Sequence, residues 1–219
     1  MHLRSITAAA LAAATALTLA ACGGETSADD GGDPAAEVSG GHDPSTGTVL
    51  DQPFDKPDLV LTDTNGEPYD LAAETDGHAT LLYFGYTHCP DICPLTMSNI
   101  AVAAAGLSEE QRRDLRVVFV TTDPERDTPE SLGEWLRMQD PDFTGLTGDF
   151  EDIQAAARSL GVSIEPSYED ENGDIISTHG TQVVAFLPDD DKAHVIYTEG
   201  VTVETFERDI PKLLRGELP

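Results

Sequence analysis

The sequence predicts an α/β domain built around a parallel β-α-β unit. Two runs of apolar and β-branched residues, 81–84 and 115–121, have the length and composition of buried strands. The segment between them, from Pro94 to Gly106, is typical of a helix, and this order favours parallel strands joined by a right-handed crossover. The chain has 219 residues, 39% of them hydrophobic, which is enough for one core of this kind.

The first 48 residues are not expected to belong to the folded domain. An apolar, alanine-rich run follows a short basic start, is too short for a comfortable transmembrane helix and ends in small residues. This pattern predicts a signal peptide over residues 1–21. Residues 22–48 are rich in Gly, Ala, Ser, Asp and Pro, so we expect a disordered tether there. The domain itself is then expected over residues 49–219.

The remaining elements follow from local patterns in the order in which they occur. The domain opens with an expected β-hairpin, and Asp127 and Thr128 are expected to cap a second helix, with capping as the expected role of Asp127. The other predicted elements are a helix over 152–160, a hairpin with an acidic tip at 168–174, strands over 182–187 and 194–198, and a helix over 203–214. This order is that of a thioredoxin-like domain, here with an N-terminal β-hairpin extension.

Two cysteines lie where the first central strand runs into its helix. Cys89 and Cys93 are separated by three residues, and two thiols this close can close a disulfide, exchange one with a partner or hold a metal ion. Cys93 is expected at the helix start, where unpaired N–H groups and the helix dipole favour a thiolate. We therefore expect Cys93 to be more acidic than an ordinary cysteine.

The residues around these cysteines carry a resemblance to a known family. Residues 87–94 read THCPDICP, which resembles the metal-binding motif of the Sco/SenC family of copper chaperones. Residues 122–128 read TDPERDT and are similar to a second stretch of that family, and His179 falls where the family places its third ligand. The resemblance covers about residues 55–215. It implies a copper site formed by Cys89, Cys93 and His179.

A set of two thiolates and one imidazole suits Cu(I) and can also hold Cu(II). Zinc remains an alternative, because two cysteines, one histidine and a water make a legitimate zinc set. Asp123 directly follows the second central strand, so we expect its carboxylate to contact the thiols or His179 rather than the metal itself. Gly180 departs from the family, which commonly has Ser or Thr after the histidine. His88 is expected to point away from the metal, because neighbouring side chains diverge.

The residues before the tether resemble a bacterial lipobox. Residues 19–22 read LAAC, which implies cleavage before Cys22 and lipidation of its thiol. A two-chain lipid would anchor the protein stably to the extracytoplasmic face of the cell membrane. The alternative is an ordinary signal peptide that leaves a surface thiol.

Charge limits the class of partner. The chain carries 41 acidic and 12 basic side chains, for a formal net charge of -29. Such a surface repels nucleic acid and anionic lipid headgroups, so nucleic-acid binding is not expected. An acidic surface also keeps a protein soluble and can steer cations or a basic partner.

Two functions remain open from the sequence. The resemblance implies a chaperone that delivers copper to the dinuclear site of cytochrome c oxidase subunit II, with another copper protein as the donor. It equally implies a thiol-disulfide oxidoreductase in which Cys89 and Cys93 reduce the cysteines of that site. His179 discriminates between them, because a dithiol reductant has no need of an imidazole.

Overall fold

The structure is a computed structural model that describes residues 46–173, 175–178 and 180–219. The predicted signal peptide, Cys22 and all but the last residues of the predicted tether lie outside the described residues. Asp174, in the predicted acidic tip, and His179, the predicted third ligand, lie outside them as well. Among the described residues, no helix has the length and apolar character to cross a bilayer.

The described part of the chain alternates strands and helices. The strands are β1 (Thr48–Asp55), β2 (Val60–Asp63), β3 (Pro68–Asp70), β4 (Ala79–Gly85), β5 (Leu115–Thr121), β6 (Thr144–Thr147), β7 (Tyr168–Glu169), β8 (Ile175–Ile176), β9 (Val183–Phe186) and β10 (Lys192–Tyr197). The helices are α1 (Leu71–Glu74), α2 (Ile92–Ala105), α3 (Glu109–Asp114), α4 (Pro129–Gln139), α5 (Phe150–Ser159) and α6 (Val203–Leu213).

Eight of these strands form one sheet in the order β1-β10-β9-β4-β5-β6-β2-β3. The three neighbours β4, β5 and β6 run parallel, and the other neighbouring strands pair antiparallel. Successive antiparallel pairings from β4 through β9 and β10 to β1 place the first residues of β1 at the same end of the sheet as the last residues of β4. The remaining strands, β7 and β8, pair only with each other, as a short ribbon.

Helices cover both faces of the sheet because the side chains of each central strand alternate between them. On β4, Leu81 and Tyr83 pack into one buried cluster with residues of α2, α4 and α6. Leu82 and Phe84 pack into a second cluster with residues of α5. All seven residues of β4 are buried, as expected for a central strand of a sheet covered on both sides.

The structure confirms the thioredoxin-like α/β fold and the hairpin extension formed by β2 and β3. It differs from the predictions in detail. Helix α2 begins at Ile92, two residues before Pro94, because Asp91 accepts a hydrogen bond from the Ile92 N–H at 2.7 Å. Strand β1, the short helix α3 and strand β6 were not predicted. Strand β1 pairs antiparallel with β10 and forms one edge of the sheet.

Candidate metal centre

The predicted site lies at the carboxyl ends of β4 and β5. Because these strands are parallel and in register from Ala79 and Leu115 onward, the loops that follow them leave from one edge. A backbone hydrogen bond of 2.7 Å from the Thr122 N–H to the Gly85 carbonyl joins the two loops at their start. Ligand sites in open α/β sheets commonly form at this edge.

The cysteine loop, residues 86–91, is held mainly by Asp127. The buried Asp127 carboxylate accepts hydrogen bonds from the Thr87 N–H at 2.9 Å and from the Thr87 hydroxyl at 2.5 Å. It also accepts one from the Thr121 hydroxyl at 2.7 Å. The expectation that Asp127 caps α4 was wrong, because Thr128 is the N-cap and accepts from the Ser131 N–H. Asp127 instead ties the cysteine loop to the end of β5.

Both cysteines are buried thiols in the structure. Cys89 is 5% exposed, whereas the side chain of Cys93, in the first turn of α2, has no exposed surface. The backbone N–H of Cys93 donates to the sulfur of Cys89 at 3.4 Å. This N–H at the helix start therefore donates to Cys89, the cysteine that precedes the helix.

The prediction that Cys93 is unusually acidic was wrong. Burial raises the pKa of the Cys93 thiol to about 12, although hydrogen bonds donated to its sulfur by the Tyr83 side chain and the Tyr86 backbone act in the opposite direction. Desolvation disfavours the charged thiolate more strongly than the helix start favours it. The sequence located the helix terminus correctly, but it did not show that this side chain points into the core.

Gly85 leaves room for the Cys93 sulfur. A Cβ atom at position 85 would lie 2.9 Å from that sulfur and 2.7 Å from a ring carbon of Tyr83, which are distances that real side chains do not adopt. The last residue of β4 must therefore lack a side chain if Cys93 is to pack beneath the loop.

Asp123 joins a second group of polar side chains at the same edge. Its carboxylate pairs with the Arg126 guanidinium and accepts a hydrogen bond from the Ser177 hydroxyl at 3.0 Å. Arg126 also donates to the Ser177 oxygen at 2.9 Å, and Ser177 lies 2.7 Å from the hydroxyl of Ser167. These bonds connect the second residue after β5 to the base of the ribbon, where β7 begins and β8 ends. We refer to Asp123, Arg126, Ser167 and Ser177 as the clasp.

The two residues that flank His179 both contact the ends of the central strands. The Thr178 carbonyl accepts a hydrogen bond from the Thr122 hydroxyl at 2.8 Å. A Cβ atom on the buried Gly180 would lie 3.7 Å from the Phe84 carbonyl and would clash with Val162. The departure from Ser or Thr at position 180 thus has a steric cause.

Other histidines have different surroundings. His88 lies 3.1 Å from the Thr87 hydroxyl and 3.6 Å from the Asp127 carboxylate, so its ring faces the anchor of the cysteine loop. His194 pairs with Asp190 at 2.9 Å, and His78 accepts the Arg116 guanidinium at 2.8 Å. Each of these imidazoles has a protein partner other than the two cysteines.

The donor set favours a soft metal ion. Two sulfurs lie at the start of one helix, and soft thiolates select Cu(I) and zinc over hard cations. Within residues 46–219 other than 174 and 179, no three His, Cys, Asp or Glu side chains are grouped as a metal would need. A metal ion held by these two thiols would therefore need a further ligand from outside the described residues.

Two residues at this site escaped the sequence analysis. Asp127 lies next to a helix N-terminus, and the capping pattern there concealed its contact with Thr87. Tyr83 lies inside an apolar strand run, yet its hydroxyl donates to the Cys93 sulfur at 3.5 Å. The pair lies ten positions apart in the chain, and no local sequence pattern reveals the contact.

Comparison with known proteins gives the family of the chain. The SCO1/SenC family profile matches residues 48–215. A protein of Stutzerimonas stutzeri described as copper-binding is 35% identical over 163 residues, which cover 74% of this chain and 78% of that protein. The mitochondrial SCO1 homologue of Mus musculus is 38% identical over 134 residues, which cover 59% of this chain and 45% of the mouse protein.

This chain thus matches about half the length of the mouse protein. Among solved structures, Arabidopsis thaliana ScoI with copper bound is 30% identical with a TM-score of 0.62, and the match covers 75% of this chain and 98% of that one. The region matched by the family profile includes both cysteines, the clasp and the sheet that carries them. The chain belongs to the SCO1/SenC family.

Proposed function

We propose that this protein binds one copper ion through Cys89, Cys93 and His179 and delivers it to the dinuclear copper site of cytochrome c oxidase subunit II. The observation that supports the proposal is that the two buried cysteines and Thr178, the neighbour of His179, lie at one edge of the sheet. The Thr178 carbonyl accepts a hydrogen bond from Thr122, directly after β5, and Gly180 packs near the carbonyl of Phe84 at the end of β4. Relatives described as copper-binding and solved with copper bound support copper as the cargo.

Delivery proceeds by exchange of ligands without a change in the oxidation state of copper. An incoming thiolate of the partner binds copper as one cysteine of this chain leaves, and the departing sulfur takes up a proton. A second exchange releases the other cysteine and then the imidazole. We propose that Asp123 supports the third ligand from behind, because it binds Ser177, two residues before His179.

Copper titration of the reduced protein tests the ligand set. His179→Ala should weaken copper binding more than about 100-fold, the upper range for loss of a group that only supports a ligand. Cys89→Ser and Cys93→Ser should abolish binding. His194→Ala is the matched control, because that imidazole pairs with Asp190 on another part of the surface. Unchanged copper affinity in His179→Ala would refute the proposed site, and zinc retained through a copper challenge would refute the metal.

A second candidate function is reduction of the partner's cysteines before they receive copper. The backbone N–H that donates to the Cys89 sulfur favours it as the attacking thiolate. Cys89 would attack the partner disulfide to form a mixed disulfide, and Cys93 would then displace the partner. The partner gains two thiols, and this chain keeps one disulfide. A His179→Ala variant that still supports oxidase assembly would favour this second function over copper delivery.

We also propose that a lipid on Cys22 anchors residues 49–219 to the membrane, with residues 22–48 as the tether and a separate copper protein as donor. The support is the LAAC sequence at residues 19–22. Cells grown with a labelled fatty acid should label the wild-type protein and not a Cys22→Ser variant. An unlabelled wild-type protein would contradict the anchor.

A further inference from the structure

A buried tyrosine hydroxyl contacts one of the two sulfurs. Tyr83 lies on β4, is 1% exposed and packs its ring against Phe119 with centroids 5.8 Å apart. A buried phenol needs a hydrogen-bond partner, because an unsatisfied hydroxyl in the core is costly. Its hydroxyl donates to the Sγ atom of Cys93 at 3.5 Å. The copper-delivery steps described above do not use this contact.

The direction of this hydrogen bond follows from the state of the sulfur. The Tyr83 hydroxyl lies 3.5 Å from the Cys93 sulfur. A metal-bound thiolate has no proton to donate, so the phenol is the donor and the sulfur is the acceptor.

We propose that Tyr83 is a positioning residue that tunes the copper site, by donating its O–H to the Cys93 sulfur and so favouring bound Cu(I) over Cu(II). This inference rests on the proposed copper function and deepens it. Tyr83, on the strand beneath the cysteine loop, thus joins the proposed copper ligands as a residue of the site.

The preference for Cu(I) follows from the charge left on sulfur. Cu(II) withdraws more electron density from a thiolate than Cu(I) does, so the sulfur of the Cu(I) form keeps more negative charge. A donated hydrogen bond is stronger to the more negative acceptor. Hydrogen bonding around a cysteine sulfur is a known means of setting a copper potential. The hydroxyl also holds the Cys93 side chain against β4, which limits its movement when copper enters.

The test compares Tyr83→Phe with Tyr197→Phe. Both substitutions remove one hydroxyl from a buried tyrosine, but the Tyr197 hydroxyl bonds to Asp209 at 3.3 Å rather than to a sulfur. In Tyr83→Phe, the sulfur-to-Cu(II) charge-transfer band should move to longer wavelength. The ratio of Cu(I) to Cu(II) affinity should fall about tenfold, which is about 59 mV for one electron. The control should show neither change.

A Tyr83→Phe protein that binds copper with the wild-type spectrum and affinity ratio would overturn the inference. So would shifts of equal size in Tyr83→Phe and Tyr197→Phe, because these would reflect general loosening of the core.

A double-mutant cycle without metal separates this inference from the proposed function. Tyr83→Phe and Cys93→Ala should be non-additive by about threefold or more in the unfolding constant, as expected for groups in contact. Additive effects would show that the hydroxyl does not engage the sulfur and would overturn the inference. A wild-type protein that fails to bind copper would refute the proposed function and the tuning role together, whatever the cycle shows.

Discussion

The cysteine loop and the β7–β8 ribbon meet at one edge of the sheet but are held in different ways. The loop is bounded by the fully buried strand β4 and by the 14-residue helix α2, and the buried Asp127 ties it to β5. The ribbon has two strands of two residues each, with Tyr168, Ile175 and Ile176 exposed. The clasp is the main polar connection between its base and the sheet.

This contrast indicates that different contacts hold the thiols and the proposed third ligand. Short two-stranded ribbons are at best marginally stable alone, so the position of residues 177–180 depends on the clasp and on Thr122. The thiols, in contrast, are fixed by the core itself. We therefore expect substitutions in the loop to affect folding and both sulfurs, and substitutions in the clasp to affect the third ligand alone.

Gly85→Ala should have the largest effect, because it forces a methyl group against Cys93 and Tyr83. We expect a loss of about 3 kcal/mol in unfolding free energy from overpacking, together with loss of copper binding. Denaturant unfolding and copper titration measure the two effects. Gly106→Ala is the control, because Gly106 has helical dihedrals and its nearest atom to a new Cβ lies at 3.4 Å. Equal stability of the two variants would show that the loop is not rigidly packed.

Asp127→Ala removes the acceptor that holds Thr87 and Thr121. Leaving these donors unpaired should cost about 2 to 3 kcal/mol in unfolding free energy and should slow copper uptake, because the cysteine loop loses its anchor. Asp149→Ala serves as the comparison, since that exposed carboxylate accepts from the Glu151 N–H at the start of α5. If Asp127→Ala cost no more than Asp149→Ala, the loop would be held by its backbone alone.

Alkaline pH should lower the unfolding free energy of the protein through the buried thiol of Cys93. The pKa of Cys93 is raised by burial to about 12, so the neutral thiol is favoured in the folded state. The resulting stability is fully present below the ordinary thiol pKa of about 9 and is lost as the pH rises toward 12. The slope is about 1.4 kcal/mol per pH unit for one group. Unfolding of the metal-free protein at pH 8 to 11 should show this slope, and Cys93→Ala should lack it.

Ser177→Ala should have the smallest effect on stability, because it breaks the clasp without disturbing the core. We expect a loss of about 1 kcal/mol in unfolding free energy and about a tenfold loss in copper affinity, with unchanged thiol exchange. Ser163→Ala, at an exposed serine, is the control. Thiol exchange that falls together with copper affinity would show that the ribbon and the cysteine loop do not act separately.

The sequence was informative where structure follows from local patterns. The apolar runs of β4 and β5 and the turn before α2 predicted a parallel pair with Cys89 and Cys93 at its carboxyl edge. The predicted closing strands and last helix are confirmed as β9, β10 and α6. Strand β6 was missed because Thr144, Gly145 and Thr147 do not form an apolar run, and it is a strand through its pairing with β5 and β2.

The site was less predictable because its supporting contacts join distant residues. Asp127 to Thr87 spans 40 positions, and Ser177 to Asp123 spans 54. The acidity of Cys93 was predicted with the wrong sign for a similar reason, since the helix terminus is a local feature and burial is not. Asp123 was expected to support the ligands, and in the described contacts its carboxylate accepts a hydrogen bond from the Ser177 hydroxyl.

The direction of β1 determines at which end of the sheet the preceding residues join the domain. Thr48 pairs with Ile196, near the end of β10, which is the end of the sheet where β4 finishes and the thiols begin. The residues before Thr48 therefore join the domain at the edge of the sheet that carries Cys89 and Cys93. If a lipid on Cys22 anchors the chain as proposed, shortening residues 22–48 would limit how far that edge can reach from the bilayer surface.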